Sequence, residues 1–301
     1  MNRAVLRYLK KMTFLPQKVF LPFLYEYFTG KSLNLKNPIE FNEKIQWYKI
    51  YYQPKILNTL IDKNSVKDYV KNKIGEKYLI KTLVVYNNVN DFDLKLLPKK
   101  FVIKAVHTNR QNIIVTDKNT LKTKKLKPKF KKWFRTNQYY RNGQEWGYKD
   151  IKPKILVEEF IEEKGQHDLT DYKFFCFNGV PKFVEVHIDR TAGYKREIYD
   201  LDFNRLPFNK GGEGTDFKST MQKPSNFDNM IEVAEKLSEN IPFVRVDLYA
   251  IEGKTLFGEL TFYPADGRKD FYPQKYNKII GDMFELPEIP NGKKKITEFK
   301  G

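Results

Sequence analysis

A single cysteine, Cys176, and three histidines are all that 301 residues offer of those two types. One thiol excludes an intramolecular disulfide, and nothing else in the chain argues for an oxidising compartment. Cys176 lies in the apolar run Phe174-Phe175-Cys176-Phe177, where it reads as a small buried hydrophobe rather than a nucleophile. His107 and His187 have no Cys or His at metal-ligand spacing, so both are expected to be structural or substrate-contacting rather than zinc ligands. Uninterrupted apolar runs of about 20 residues are also missing. The N-terminal stretch comes nearest, but Pro16, Pro22 and Glu26 break it and no small-residue cleavage site follows. Neither a transmembrane helix nor a signal peptide is expected there, and the chain is expected to be cytoplasmic.

What is abundant is positive charge and aromatic surface. A formal net charge of +18 suits a polyanionic partner: nucleic acid, an anionic membrane, a phosphorylated cofactor or an acidic polysaccharide. Charge alone does not choose among them, and the Lys-rich run 122–132 also reads as a solvated face. Aromatics at 15% give enough apolar surface to offset chain entropy, so a globular chain of about two lobes is expected. Arg3, Arg7, Lys10 and Lys11 beside Leu6, Leu9 and Phe14 fit two readings, peripheral contact with an anionic membrane or packing on the protein's own core.

Apolar periodicity predicts a helix over 40–52 with Phe41, Ile45, Tyr48 and Tyr52 inward, and another over 64–74 stopped by Gly75. Strand-like runs follow at 78–86, 101–107, 112–116, 155–161, 172–177 and 182–188, with Asn178-Gly179 as a hairpin signal. A helix over 230–240 precedes strands 243–249 and 255–262. Hairpins with interspersed helices indicate an α+β chain. The expected organisation is an N-terminal helical region over 1–60, a small lobe over 61–150 and a larger antiparallel-sheet lobe over 151–301.

The last hairpin carries the chemistry. The two-residue strand period puts Arg245, Asp247 and Tyr249 on one face, and in the partner strand Glu259 and Thr261 on one face with Leu256, Leu260 and Phe262 on the other. A three-residue loop, Glu252-Gly253-Lys254, sets Asp247 opposite Glu259 and Arg245 opposite Thr261. Two carboxylates with Cβ atoms ~5 Å apart repel each other unless a cation lies between them. Arg245 or a lysine would serve, and so would Mg²⁺, which takes one or two carboxylates and completes its shell with water and phosphate oxygens.

Val246-Asp247-Leu248 and Glu259-Leu260-Thr261, followed by Pro264, resemble the metal-binding end of ATP-grasp enzymes. With FNEKIQW (41–47), Asp62-Lys63, FVIK (101–104), DYKFFCFNG (171–179), YDLDFNRLPF (199–208), PFVRVDLY (242–249) and FGELTF (257–262), the chain is similar to the TupA-like ATP-grasp proteins of bacterial surface-polysaccharide clusters. The resemblance implies an ATP-grasp fold holding Mg·ATP, with Asp247, Glu259 and Thr261 on Mg²⁺. Lys63 and Lys104 would reach the nucleotide phosphates. Glu158-Glu159-Phe160-Ile161 would be the hinge that hydrogen-bonds adenine through its backbone, and Asp168 would hold ribose. Lys173, Arg190 and Arg245 would form the catalytic set, Lys173 and Arg190 meeting the γ-phosphate and the acceptor carboxylate, with Arg196 as a further orienting group.

The implied reaction is ADP-forming amide synthesis from a carboxylate and an amine through an acylphosphate, the carboxylate belonging to a uronic acid glycan, its precursor or an amino acid. One departure from the family pattern lies at His107-Thr108-Asn109-Arg110-Gln111-Asn112, where a Gly-containing turn is expected and no glycine stands. Backbone amides approach phosphate less closely there, which leaves the Arg110 side chain as a clamp. Asp200-Leu201-Asp202 supports the alternative of a glycosyltransferase. A nucleic-acid binder, suggested by the Lys and aromatic residues of 129–140, lacks any recognised binding motif, and no nucleic-acid partner is expected.

Overall fold

The computed structural model describes residues 2–141, 143–163, 169–188, 195–210 and 221–300. Five helices come first: α1 (Arg3–Leu9), α2 (Gln17–Thr29), α3 (Phe41–Tyr51), α4 (Ile56–Ile61) and α5 (Val66–Ile74). In α3 the expected Phe41, Ile45 and Tyr48 are fully buried, and Tyr52 just beyond it nearly so. Its start is fixed by Glu43, whose carboxylate accepts the backbone N–H groups of Ile39 at 2.9 Å and Glu40 at 3.0 Å. Gly75 ends α5 at φ 102°, a conformation that suits glycine. The segment before the first strand turns through a 3₁₀ step at Glu76–Tyr78, so strand structure begins later than the apolar run suggested.

Four strands make an antiparallel sheet in the order β1-β4-β2-β3: β1 (Thr82–Tyr86), β2 (Phe101–Ala105), β3 (Asn112–Val115) and β4 (Ile155–Glu159). β4 completes this sheet although it lies beyond residue 150, where the larger lobe was expected to begin. Between β3 and β4 stand α6 (Thr123–Phe134) and α7 (Gln138–Arg141). Leu126, Phe130 and Trp133 turn inward from α6 and share one core with Phe101, Ile103 and Val157, leaving the lysines of 122–132 as the helix's solvated face.

The second antiparallel sheet runs β7-β6-β5-β8-β9, from β5 (Asp171–Phe177), β6 (Val180–Ile188), β7 (Lys195–Tyr199), β8 (Phe243–Ile251) and β9 (Lys254–Thr261). Asn178 and Gly179 join β5 to β6 with φ 50° and 80°, the two positive values a type I′ turn requires. On one face Val184, Phe174, Val246 and Leu260 lie in register across the strands. This apolar row packs on α8 (Phe227–Ser238), where the rings of Phe174 and Phe227 sit 5.7 Å apart.

α3 belongs to the same core: Phe41 meets Phe243 edge-on at 5.1 Å, and Tyr48 meets Phe284 at 5.4 Å. Behind it lies α9 (Lys275–Asp282), and the helical N-terminal region is thus joined to the second sheet through α3. α2 buries Phe20, Leu21 and Leu24 against Ile50, and α1 buries Leu6, whereas Tyr8 and Phe14 stay exposed at 73% and 74%.

The closest backbone approach here is Gly281 of α9, where an added Cβ would stand 2.2 Å from the Ile39 carbonyl oxygen. Gly281→Ala is therefore expected to cost about 1–3 kcal/mol by overpacking, read as a lower urea midpoint. An unchanged midpoint would show that α3 and α9 are not held this tightly.

Candidate active site

The other face of the second sheet is charged, again because side chains alternate along a strand. Glu185, Lys173, Asp247 and Glu259 lie in one cross-strand row over β6, β5, β8 and β9. On one side of it Arg196, His187, Asp171 and Tyr249 form a second row. On the other, Phe175, Arg245 and Thr261 form a third. The Asp247–Glu259 and Arg245–Thr261 pairings are those expected, but they arise differently. The turn is only two residues, Glu252 at φ 48° and Gly253 at φ 76°, and Lys254 already pairs with Ile251. A bulge between the two stretches then adds one residue, Gly258, and restores the register at the site. The bulge also reverses the alternation: Phe257, not Leu256, faces the core, and Leu256 pairs with Tyr249.

Gly258 suits this position because a Cβ there would lie 2.9 Å from the Asp247 carbonyl oxygen.

Asp247 is 2% exposed. The Arg245 fork holds it, with Nε 2.6 Å from Oδ1 and Nη2 2.7 Å from Oδ2, and Lys173 also donates to Oδ2. Burial pushes the Asp247 carboxyl up, but Arg245 and Lys173 more than reverse this and hold it below the usual carboxylate range. The same guanidinium donates to Thr261 Oγ1 at 3.0 Å and stands 3.7 Å from Glu259 Oε1. One arginine therefore touches all three residues expected to bind Mg²⁺, filling the cation position between the opposed carboxylates.

The first sheet supplies the facing wall. Lys67 and Lys104 each stand 2.5 Å from one oxygen of Glu158. Burial raises the Glu158 carboxyl, and the two lysines bring it below its ordinary value. Glu158 sits within β4 between Thr82 and Val102, so it meets the cleft by its carboxylate, not by the backbone contact implied for a hinge. Glu159 is exposed at the end of the strand, with Phe160 and Ile161 beyond it. Lys63 donates to the Thr108 carbonyl, and burial lowers its ammonium from the ordinary value. The turn that lacks glycine lines the cleft through residues 109–112, and Arg110 in it adopts φ 57°.

Lys63, Lys104, Glu158, Lys173, Arg245, Asp247, Glu259 and Thr261 thus surround one cleft of about 820 Å³. Arg190 and Asp168 lie outside the described residues. Arg196 Nε is held 3.2 Å from Glu185 Oε1, and His187 stands 3.3 Å from the same atom. Glu185 was legible as a polar residue alternating with His187 in an apolar strand. Lys67 carried no such signal, because long-range folding alone places it here. His107 is structural, its Nε2 2.9 Å from the Trp133 carbonyl oxygen.

No group of three or more His, Cys, Asp or Glu is arranged to hold a metal among the described residues. Two opposed carboxylates and a hydroxyl nevertheless suit Mg²⁺ accompanied by phosphate, provided Arg245 releases Asp247. Asp200, by contrast, spends its carboxylate on the backbone N–H groups of Asp202 and Asn204, at 3.0 and 2.7 Å. The acidic triplet is a turn cap. Of the aromatics in 129–140, Phe130, Trp133 and Tyr139 are buried and Tyr140 is exposed.

A family model described as TupA-like ATPgrasp matches residues 43–285. Among solved structures, D-alanine–D-alanine ligase from Bacillus anthracis complexed with ATP is 15% identical, with 81% of this chain and 70% of that chain covered and a TM-score of 0.43. The Helicobacter pylori D-alanine–D-alanine ligase is 15% identical, with coverages of 82% and 68% and a TM-score of 0.43. ATP-grasp ligase PsnB complexed with minimal precursor is 9% identical, with coverages of 70% and 55% and a TM-score of 0.36. Likenesses this distant say nothing about individual residues or substrates. No curated protein matches.

Asp247 is the shared partner of two buried cations, and its loss strands both. Asp247→Leu should lower stability by about 3–5 kcal/mol, and Arg245→Met, which leaves Asp247 its bond to Lys173, should cost less. A loss in Asp247→Leu no larger than that in Arg245→Met, measured by urea unfolding, would contradict the pairing.

Proposed function

The chain belongs to the TupA-like ATP-grasp family, and from that premise we propose that it is an ATP-dependent carboxylate–amine ligase. The observation that carries the reading is the convergence of Lys63, Lys104, Lys173 and Arg245 on a cleft containing the opposed carboxylates Asp247 and Glu259. Phosphoryl transfer needs charge neutralisation and alignment more than covalent help, so a set of fixed cations without a nucleophile fits it. Cys176 is no nucleophile, since it is buried and burial pushes its thiol up to about 12.

In the proposed reaction Lys63 and Lys104 neutralise the nucleotide phosphates. Lys173 and Arg245 meet the γ-phosphoryl group as it moves to the acceptor carboxylate, and Arg245 transfers its fork from Asp247 to phosphate oxygens. Asp247, Glu259 and Thr261 would hold Mg²⁺, which when bound supplies further charge neutralisation. Arg190 and Arg196 orient the acceptor carboxylate through paired N–H donors, a geometry lysine reproduces poorly. An amine then displaces phosphate, giving ADP, phosphate and an amide. The acceptor we infer is a uronic acid of a surface glycan or its precursor, or an amino acid, handled in the cytoplasm. Exposed Tyr8 and Phe14 beside Arg7, Lys10 and Lys11 support peripheral contact with the inner face of an anionic membrane.

Calorimetry separates the ligase from the transferase: a non-hydrolysable ATP analogue with Mg²⁺ should bind, and binding of a UDP-sugar without ATP-analogue binding would overturn the reading. Glu259→Gln, at a partly exposed position, should keep the fold and lower Mg·ATP turnover by about 100-fold or more; full turnover would remove Glu259 from the site. Tyr8→Ser with Phe14→Ser should reduce sedimentation with phosphatidylglycerol vesicles without changing the thermal midpoint. Sedimentation equal to that of the parent chain would dismiss the membrane contact.

A further inference from the structure

Among the described residues, Phe28 is the one large apolar side chain that lines the cleft and is also exposed. It stands one turn beyond Leu24 and Tyr25, so the buried stripe of α2 continues past the edge of its own core and brings the ring out at the cleft. Gly30, at φ 72°, ends the helix just after it. The residue is 51% exposed, apolar surface whose free energy falls when something covers it. α2 also lies before the residues that carry the family likeness, so that likeness implies nothing about this ring.

Cations surround it. The Arg268 guanidinium lies over the ring, with Cζ 4.0 Å from the centroid, and is anchored by an ion pair with Asp266. Tyr27 meets the ring edge-on at 4.9 Å, and Lys10 Nζ is 5.5 Å from the Phe28 centroid and 3.9 Å from that of Tyr27. Lys269, next after Arg268, lines the cleft and has no hydrogen-bond or ion-pair partner among the described residues. Burial and then Arg196 lower its ammonium while Glu185 opposes them, which sets Lys269 towards the arginine assigned above to the acceptor.

We propose that Phe28 is the stacking platform of the acceptor subsite, and that the acceptor is a pyranose bearing a carboxylate rather than a free amino acid; this rests on the ligase reading. The cations around the ring repel the ammonium of the amine substrate and leave the place to the anionic one. A free amino acid brings an ammonium of its own and little apolar surface. A pyranose face is a layer of C–H groups whose hydrogens are slightly positive, and the face of an aromatic ring is slightly negative, so the two stack. Arg268 takes one face of Phe28, the sugar takes the face left open, and its carboxylate turns towards Lys269 and Arg196.

Saturation-transfer difference NMR on the full chain tests this without turnover, with methyl glucuronide as the probe and glutamate as the comparator. Saturation should reach the axial protons of one pyranose face. Phe28→Ala should weaken glucuronide binding about 10-fold, Phe28→Trp should keep it, and glutamate should respond to neither. The thermal midpoint and ATP-analogue binding should stay as in the parent chain, since the side chain is exposed and lies outside the phosphate-binding set. A glucuronide that does not bind the parent chain, or that binds Phe28→Ala as tightly, would overturn the proposal, as would an equal weakening of glutamate. The two readings fail separately. Phe28-dependent glucuronide binding without ATP-analogue binding would keep the saccharide site and reject the ligase, and ATP-analogue binding without glucuronide binding would do the reverse.

Discussion

Asp247 is a carboxylate placed where water does not reach, on a central strand of the larger sheet. Taking such a charge out of water costs several kcal/mol, and only close cations in good geometry offset it. Arg245, two residues away on the same strand, and Lys173, directly opposite on β5, supply them. The consequences spread outward from that contact. Arg245 also reaches Thr261 and Glu259, so the fork fastens β9 to β8 by side chains as well as by backbone. With these charges on one face, Val184, Phe174, Val246 and Leu260 form an apolar row on the other and pack on α8. In the ATP-grasp chain proposed here, the same arginine is the cation that phosphate and metal would displace.

A second buried ion pair ties the N-terminal helices to this site. After β9 the chain passes through Ala265, Asp266 and Gly267 with φ of 50°, 58° and 62°, a left-handed turn that costs energy at its first two residues. α3 holds that turn in place. Gln46 donates to the carbonyls of Asp266 and Gly267 at 2.9 and 2.8 Å, and the fully buried Lys49 pairs with the Asp266 carboxylate. Glu145 stands beside them, raised to about 8 by burial and then by Asp266. Gly143 allows this approach, since a Cβ there would meet the Asp266 carboxylate at 2.2 Å. The turn, including Ala265, Asp266 and Arg268, lines the cleft, which explains why a helix far earlier in sequence bears on its shape.

Much of this was legible from local pattern. The three- and four-residue spacing of Phe41, Ile45 and Tyr48 gave α3 and its buried face, and Asn178-Gly179 gave the β5–β6 turn. Opposition of Asp247 and Glu259 followed from strand alternation, although for a partly mistaken reason: the loop is one residue shorter than expected, and the bulge at Gly258 makes up the difference. A glycine inside an otherwise regular strand was the available signal. What local pattern does not contain is the partner of a long side chain. Glu158 turned out to bridge Lys104 and Lys67, contributions from a neighbouring strand and a preceding helix.

In the proposed reaction Arg245 exchanges Asp247 for phosphate. A crystal structure of the chain with Mg²⁺ and a non-hydrolysable ATP analogue tests it most directly. The guanidinium should be found on the terminal phosphate, with the metal between Asp247 and Glu259. A nucleotide bound while Arg245 stays forked on Asp247, with no metal between the carboxylates, would contradict it.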